Sequence, residues 1–399
     1  MSERRSDDSR WPTILLIVGA GIVSAFQVGK APTALAAVQA DLAIGLAVAS
    51  WLLSAFAIVG ALSGIAIGVA VDHVGSRRMV LGGLLLQGAG SAVGAFAGAP
   101  SLLLLTRAIE GIGFLTVTVA APTLIVGMAR PRDLGRAIAV WGTFMPVGMT
   151  VVMLGAPLLT VIGWRDYWLV NAAALTGYAV LLAYGTRSAP ATATQRRSIA
   201  NDLRQTLAAG GPWLLASLMA AFAAAFFAVF GFLPSILSDR LAVGTTTGSL
   251  MAAGAVAVNA IGNLACGPLL TRGVRRAHVL LIGFVTMGLC GFGVLGEGVS
   301  GPVAYALCVV FSAVGGLIPV ALIDGAPRHA PRPDLVGATV GFLIQGNNVG
   351  LLLGPVISGG VAAALGWPMV SFFVAALAFA AALLTLTLRA RPAEAALSS

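Results

Sequence analysis

The sequence predicts an all-α membrane protein made of two related bundles, each with six transmembrane helices. Three observations carry this prediction. Apolar residues make up 58% of the chain and charged residues only 9%, long apolar stretches recur from end to end, and the second half repeats landmarks of the first. Soluble domains carry about 25% charged residues, so the composition excludes an ordinary soluble protein.

Each apolar stretch is long enough to cross a bilayer, which needs about 20 consecutive apolar residues. One long polar stretch, residues 188–210, divides them and is interpreted as a cytoplasmic linker between an N-terminal bundle (1–187) and a C-terminal bundle (211–399). The twelve predicted spans are residues 12–38, 46–71, 79–98, 101–129, 135–162, 166–187, 211–238, 246–271, 277–297, 302–326, 334–364 and 367–389.

Basic residues are distributed unevenly between the two sides of this arrangement. Of the 23 Lys and Arg residues, 19 fall on the side that carries both termini and the linker. Because basic loops stay in the cytoplasm, we expect a multi-pass protein of the cytoplasmic (inner or plasma) membrane with both termini cytoplasmic. The net charge of +9 reflects this topology, and no nucleic-acid partner is expected.

The two halves repeat one another. Parallel repeats related by an axis along the membrane normal are one known transporter design, in which the substrate binds near the midplane between the halves. The matched landmarks, offset by 198 to 203 residues, are Arg77-Arg78 with Arg275-Arg276, Asp133-Leu134 with Asp334-Leu335, Pro157 with Pro355, and Gly163-Trp164 with Gly366-Trp367.

Three motifs resemble those of the major facilitator superfamily of secondary transporters, and the resemblance covers essentially the whole chain. The first is similar to that family's signature loop between helices two and three. It reads Gly68-x-x-x-Asp72-x-x-Gly75-x-Arg77-Arg78. The resemblance implies a conformational latch at this loop in a transporter that works by alternating access. The alternative is a turn held by Gly75, with arginines that only set the topology.

The second motif resembles the helix-four motif of proton-coupled members and reads Leu103-x-x-x-Arg107-x-x-Glu110-Gly111-x-Gly113. The third resembles the glycine-proline motif that antiporters carry in helix five, but its better copy is here in helix eleven, Gly346-x-x-x-Gly350-x-x-x-Gly354-Pro355-x-x-x-Gly359. Glycine rows allow close helix contact and Pro355 supplies a bend. Gly350, Gly354 and Pro355 are therefore expected to act in gating, and the alternative is plain packing.

Lys30 is the only lysine in the chain and lies within the first predicted span. Ser24 and Gln27 precede it at intervals of three residues, so the three side chains share one helix face. Ionisable residues inside a membrane span usually point inward and mark functional sites. We therefore expect Lys30 and Gln27 to bind the substrate. The alternative is that Lys30 snorkels to the outer interface.

Arg107 and Glu110 lie one turn apart on predicted helix four. Burial favours the neutral form of Glu110, whereas Arg107 favours the carboxylate. A carboxyl group under these opposed influences can exchange a proton as a cavity opens and closes, so both residues are expected to couple transport to protons. The alternative is a static ion pair. Arg107 is also expected to bind the substrate, since with Lys30 it would make the cavity positive and suited to an anion.

The C-terminal bundle offers amides and aromatic rings. Its substrate-binding candidates are Asn259, Asn263, Asn347 and Asn348. The alternative is that these amides only bond neighbouring helices. Five phenylalanines of helix seven either face lipid or form an aromatic wall for an amphipathic substrate: Phe222, Phe226, Phe227, Phe230 and Phe232.

Taken together, the sequence predicts a secondary active transporter, coupled to protons, that moves a small organic solute, with an anion favoured. The alternative is a drug/proton antiporter that exports lipophilic or cationic compounds. An intramembrane enzyme would need a catalytic cluster, and the chain shows no membrane-embedded His or paired acids. No cofactor and no metal site are expected, and the protein is expected to act as a monomer in the lipid bilayer.

Overall fold

The computed structural model describes residues 9–186 and 199–388. Within this part, the chain forms α-helices, one short 3₁₀-helix and connecting turns. The helices of the first half are α1 (Trp11–Leu42), α2 (Leu46–Val74), α3 (Ser76–Ala95), α4 (Pro100–Val126), α5 (Pro131–Gly142), α6 (Phe144–Leu154) and α7 (Ala156–Gly185).

The second half repeats this plan after one additional helix. That helix, α8 (Ile199–Ala208), lies inside the polar stretch that the sequence predicted to be a linker. The others are α9 (Gly210–Phe230), α10 (Leu233–Leu241), α11 (Thr245–Thr271), α12 (Arg276–Leu295), α13 (Gly301–Gly315), α14 (Leu317–His329), the 3₁₀-helix Pro333–Leu335, α15 (Val336–Leu365) and α16 (Trp367–Leu386).

Ten stretches of the described chain are long and apolar enough to cross a membrane, some of them made of two helices joined end to end. The remaining two of the twelve predicted spans correspond to α2, with its shorter apolar segment Leu46–Leu62, and to the 20-residue helix α3. The all-helical membrane architecture predicted from composition is confirmed.

The internal repeat extends to backbone conformation at glycine. Gly163 interrupts α7 with φ 76° and ψ 171°, so residues 156–162 continue the fifth span and Trp164 begins the sixth. Gly366 separates α15 from α16 with φ 84° and ψ 167°. A positive φ of this kind is open to glycine without steric penalty, which explains why the Gly-Trp pair recurs at both positions.

Two alanines repeat a rarer conformation. Ala43 ends α1 with φ 50° and ψ 43°, and Ala242 ends α10 with φ 51° and ψ 42°. Both lie in the left-handed region, where a Cβ atom costs about 1–2 kcal/mol. Both are exposed, so burial of the methyl group contributes little to offset this strain.

We therefore expect Ala43→Gly and Ala242→Gly each to raise the free energy of unfolding by about 0.5–1 kcal/mol, because glycine removes the strain at some cost in unfolded-state entropy. Thermal unfolding in detergent micelles measures the effect. Ala89 is an exposed alanine inside α3, and Ala89→Gly should have the opposite sign, lowering stability by about 1 kcal/mol. Destabilisation by all three changes would contradict the strain argument.

The described residues form two compact units: 9–44 with 51–186, and 45–50 with 199–388. In the first unit α3 packs against α4 and α7, and α1 packs against α6 and α7. Its apolar core includes Ile17, Leu84, Val117, Leu124 and Leu175, all buried. In the second unit α9 packs along α15, and α12 along α16.

Candidate functional site

Three charged side chains meet in the interior of the first unit. Lys30, Glu110 and Arg107 are exposed by only 0%, 0% and 1%. The Lys30 Nζ atom lies 2.7 Å from Glu110 Oε1, and Arg107 Nη1 contacts Glu110 Oε2. We call these three residues the charge cluster. It joins α1 to α4 through one carboxylate that receives a cation on each oxygen.

The cations of the charge cluster also bind neutral groups around them. Lys30 Nζ donates to Ser91 Oγ at 2.7 Å and lies 4.6 Å from the centroid of the Trp168 ring. Ser91 Oγ in turn donates to the carbonyl oxygen of Trp168 at 2.8 Å. Four helices, α1, α3, α4 and α7, therefore contribute to the surroundings of the Lys30 ammonium group.

Arg107 is held on the side of α2. Its Nε donates to the carbonyl oxygen of Leu52 at 3.0 Å, and its guanidinium carbon lies 4.7 Å from the centroid of the Phe56 ring. Hydrogen bonds and a cation–π contact of this kind stabilise a cation that has been removed from water. The geometry fixes Arg107 between α2 and Glu110.

Glycines allow the helices around the charge cluster to approach this closely. A Cβ atom at Gly90 of α3 would lie 2.9 Å from Glu110 Cγ, and one at Gly111 of α4 would lie 1.8 Å from the carbonyl oxygen of Phe56. No larger residue fits either position unless the helices move apart. The glycine beside Glu110 in the helix-four motif therefore has a packing reason.

The charge cluster carries more positive than negative charge. With all three groups ionised, two cations share one carboxylate and the net charge is +1. Moving an ion out of water into a protein interior costs several kcal/mol unless it is paired and hydrogen-bonded. The single carboxylate of the cluster therefore faces one more cation than it can neutralise.

A second polar layer lies about two turns along α1 from Lys30. Ser24 Oγ donates to Gln87 Oε1 at 3.0 Å, and Gln87 Nε2 donates to the carbonyl oxygen of Gly83 at 3.2 Å. Gln27 lies between this layer and Lys30 on the same helix. Its side chain is fully buried, and both of its amide atoms lack a hydrogen-bond partner among the described residues.

Sequence reasoning named Lys30, Gln27, Arg107 and Glu110 as candidates but did not predict the ion pair between Lys30 and Glu110. The alternative in which Lys30 snorkels to the interface is wrong, because its side chain is buried against Glu110. Ser91 and Trp168 were missed. Gln87 and Ser91 are polar residues one turn apart in a mainly apolar helix, and that spacing was the available signal for Ser91.

The amide candidates of the second unit bond to nearby backbone and to one another. Asn259 Nδ2 donates to the carbonyl oxygen of Ser312 at 3.0 Å, and Asn263 Nδ2 donates to Asn259 Oδ1 at 3.2 Å. Asn348 Nδ2 donates to the carbonyl oxygen of Ile344 on its own helix at 3.0 Å, and Asn347 is half-buried. Asn259 and Asn263 thus tie α11 to α13.

The phenylalanines of α9 do not face lipid. Four of the five predicted phenylalanines lie on α9 and the fifth lies between α9 and α10, and all five are buried. Phe226 and Phe230 stack at 4.3 Å between ring centroids, and Phe230 also stacks on Phe311 of α13 at 5.8 Å. Phe222 and Phe227 lie 5.8 Å and 5.3 Å from Phe226. The result is a continuous aromatic surface inside the second unit.

The signature loop binds the end of another helix. Gly75 precedes α3 with φ 92°, and Arg77 donates from Nε to Thr186 Oγ1 at 2.9 Å and from Nη2 to the carbonyl oxygen of Ala183 at 2.7 Å. Arg77 therefore caps the C-terminus of α7, while Arg78 is exposed. The side chains of Gly68 and Asp72 lie outside the described residues, so the latch predicted at Asp72 stays a prediction.

The second copy of the basic pair makes a different contact. Arg276 of α12 forms an ion pair with Asp324 of α14 and donates to its carbonyl oxygen at 3.0 Å. In the 3₁₀-helix before α15, Asp334 accepts hydrogen bonds from Arg332, which raises the pKa of that guanidinium. The repeated basic loops thus hold different helices in the two units.

The glycine-proline motif forms a close seam with α9. Cβ atoms at Gly346, Gly350 and Gly354 would lie 2.3, 2.2 and 2.4 Å from the carbonyl oxygens of three alanines spaced four residues apart, Ala216, Ala220 and Ala224. Pro355 follows within the same buried face of α15. We call this contact the glycine seam.

Comparison with known proteins gives a consistent assignment. A sequence model described as Major Facilitator Superfamily matches residues 17–341. The puromycin resistance protein pur8 of Streptomyces alboniger is 29% identical over 350 residues, which cover 83% of this chain and 66% of that protein. A multidrug resistance protein B homolog of Mycobacterium tuberculosis is 33% identical over 135 residues, 33% of this chain and 25% of that protein. The chain therefore spans less than two thirds of the length of these relatives.

Solved structures support the same fold. A bacterial homolog to the human lysosomal transporter Spinster, in an inward-facing and occupied conformation, superposes with a TM-score of 0.77 at 18% identity and covers 98% of this chain and 100% of that one. Its unoccupied form gives a TM-score of 0.71 at 17% identity, with 96% of each chain covered. At this identity the likeness shows the fold.

Proposed function

Because the chain belongs to the Major Facilitator Superfamily and is a membrane transporter, we propose that it exports lipophilic, drug-like compounds from the cell in exchange for protons. The observation that carries this proposal is the buried charge cluster, in which Lys30 and Arg107 share the carboxylate of Glu110. Such groups inside a membrane protein mark ion and proton pathways.

Proton exchange at the charge cluster changes the charge of the interior by one unit. Because Glu110 is bonded to both cations, the exchange of a proton at any of these groups forms or breaks an ion pair of the cluster. Helices α1 and α4 are joined by these bonds, so their arrangement depends on the protonation state. An equilibrium between two conformations responds to a proton that binds one of them better.

Export of drug-like compounds is favoured by two observations. Relatives named for puromycin and multidrug resistance are 29% and 33% identical to this chain over parts of their length. The buried aromatic surface around Phe226 and Phe230 suits flat, lipophilic rings, which stack on aromatic side chains. We propose that Gln27 and the amides Asn259, Asn263, Asn347 and Asn348 add hydrogen bonds to the substrate.

A second candidate function is transport of a small organic anion, and the surplus positive charge of the cluster favours it. Lys30 and Arg107 would hold the anion in place of the Glu110 carboxylate. Against this candidate, the Lys30 ammonium group is already bound to Glu110 and Ser91. An anion would therefore have to displace an internal ion pair before it binds.

We further propose that the protein is a monomer. We also propose that it lies in the cytoplasmic membrane with both termini in the cytoplasm, as the distribution of arginines predicts. In this orientation the signature loop faces the cytoplasm. Gly68, Asp72, Gly75, Arg77 and Arg78 would then form a gate on that side, and Gly350, Gly354 and Pro355 would guide the bend of α15.

The test of this gate compares two neighbouring arginines. Arg77→Gln removes the hydrogen bonds to the end of α7 and is expected to lower stability by about 1 kcal/mol, because hydrogen bonds to charged groups contribute more than this when buried and Arg77 is only half-buried. It should also slow transport several-fold. The exposed Arg78 serves as the control, and equal effects of Arg78→Gln would contradict a specific role for Arg77.

The test of the proposed function uses the full chain in sealed lipid vesicles with an imposed pH gradient. We expect the gradient to drive accumulation of puromycin by the parent protein but not by Glu110→Gln. Asp324→Asn, which neutralises an exposed carboxylate elsewhere, should behave like the parent. A gradient that moves benzoate and not puromycin would support the second candidate. Transport that ignores the gradient would contradict proton coupling.

A further inference from the structure

The surplus charge of the cluster raises the question of which of its groups releases the proton. We infer that the transported proton is carried by the Lys30 amine and that the Glu110 carboxylate remains ionised as its partner. This inference rests on the proposed proton coupling and goes beyond it, because it moves the exchanged proton from the carboxylate of α4 to the amine of α1. The contacts of each group support it.

Arg107 does not exchange the proton. A guanidinium group stays protonated in proteins, and this one donates to the carbonyl oxygen of Leu52 at 3.0 Å as well as to Glu110. Its position between the Phe56 ring and Glu110 makes it a fixed positive charge. The cluster can therefore change its net charge only at Glu110 or at Lys30.

Glu110 has a cation on each carboxylate oxygen. Lys30 occupies Oε1 and Arg107 occupies Oε2. A proton added to either oxygen would remove that oxygen as an acceptor for its cation. It would also raise the net charge of the buried cluster from +1 to +2, with no anion left among the three groups. Both consequences oppose protonation of Glu110.

Lys30 can lose a proton without losing a hydrogen bond. Two of its three N–H groups point to oxygen acceptors, Glu110 Oε1 and Ser91 Oγ, both at 2.7 Å. The third partner of the ammonium group is the face of the Trp168 ring. Because Ser91 uses its own hydrogen for the Trp168 carbonyl oxygen, its oxygen acts as an acceptor toward Lys30 in either state.

Among the described residues, the helices packed against Lys30 supply one carboxylate for two cations, so one positive charge of the cluster is not neutralised. The helix α3 contributes Ser91, α4 contributes the ion pair, and α7 contributes Trp168. Against α1, α6 places the apolar side chain of Val152 and the backbone of Met149 beside Gly29. Release of the proton from Lys30–NH₃⁺ leaves Lys30–NH₂, takes the cluster from +1 to 0, and passes H⁺ to water on the side to which the transporter is open.

With this assignment, the proton and a cationic substrate would exclude one another. A protonated Lys30 gives the interior of the first unit a positive charge, which repels a cationic substrate. A neutral Lys30 removes that repulsion, so the cation is bound as the proton leaves. The amine acts as an internal competitor of the substrate, and one proton would be exchanged for one positive charge.

The test uses the fact that Lys30 is the only lysine in the chain. Protein labelled with [¹⁵Nζ]lysine and free of lysine in any tag has a single side-chain amine signal, which solid-state NMR can follow in lipid bilayers. We expect this signal to change from the ammonium to the amine form as the pH is raised through the range in which transport responds to pH. Lys30→Arg should remove the signal and so confirm its assignment.

A signal that stays in the ammonium form throughout that range would overturn the inference, and Glu110 would then be the group that exchanges the proton. The proposed function fails separately, if the parent protein in vesicles moves puromycin without regard to the pH gradient. As a second readout, Lys30→Arg keeps the charge but cannot release it, so its gradient-driven puromycin transport should fall to that of protein-free vesicles. Gradient-driven transport at the parent's rate would contradict the inference.

Discussion

Replacement of Glu110 by Gln is expected to lower the free energy of unfolding by about 3–5 kcal/mol, because removal of one partner from a buried ion pair leaves uncompensated charge. Here the substitution leaves two cations without their anion, since Lys30 and Arg107 are both bonded to this carboxylate. Few single substitutions elsewhere in the chain should destabilise it as much. Thermal or chemical unfolding in detergent micelles measures the change.

The structural reason can be separated from a general loss of packing by a double-mutant cycle. Lys30→Met removes one of the two orphaned cations while keeping an unbranched side chain of similar length. In the Glu110→Gln background it should restore stability by about 1–3 kcal/mol, whereas residues that do not interact give additive effects. Additive destabilisation in the double variant would show that Lys30 and Glu110 are not energetically coupled.

The second large effect is expected at the glycine seam. Gly350→Ala places a Cβ atom 2.2 Å from the carbonyl oxygen of Ala220 and 2.7 Å from Ala223 Cβ. Neither atom lies at the end of a flexible side chain, so α9 and α15 must separate. Overpacking of this kind costs about 1–3 kcal/mol, and the loss of the neighbouring contacts along the seam should bring the effect to the upper end.

The control for this substitution lies on the same helix. A Cβ atom at Gly341 of α15 would meet no atom of a neighbouring element within 4 Å, and the residue is exposed. Gly341→Ala should therefore raise stability by up to about 1 kcal/mol through helix propensity. Thermal unfolding of both variants measures the two changes in stability. Equal effects of the two substitutions would show that helix propensity, and not the close seam, determines the outcome.

The fold could be predicted from the sequence because its determinants are local. Span length, apolar composition and the repeated Gly-Trp pairs are read along the chain, and the turns at Gly163 and Gly366 follow from them. The break between α6 and α7 at Gly155 was not predicted, and neither was α8. The break at Gly155 gives no signal because apolar residues continue across it. Helix α8 lies in a polar stretch that is too short to show a helical periodicity.

The candidate site could be predicted only in part. Arg107 and Glu110 are three residues apart, so helix geometry alone brings them together. Lys30 and Glu110 are 80 residues apart, and their contact depends on how α1 packs beside α4. The same applies to Trp168, whose backbone carbonyl positions Ser91 and whose ring covers Lys30. Contacts of this kind follow from tertiary packing, which spacing in the sequence does not encode.

The buried ionised side chains of the described residues all belong to the first unit, and this has a consequence for how such a protein can diversify. On the proposed function, the groups that exchange the proton lie in the first unit and the aromatic surface that would hold the substrate lies in the second. A chimera that keeps residues 1–198 and takes its second half from a relative should keep its dependence on the pH gradient while acquiring a new range of compounds. If the proposed function holds, substitutions in the second unit can change the range of compounds while the proton-exchanging groups of the first unit are kept.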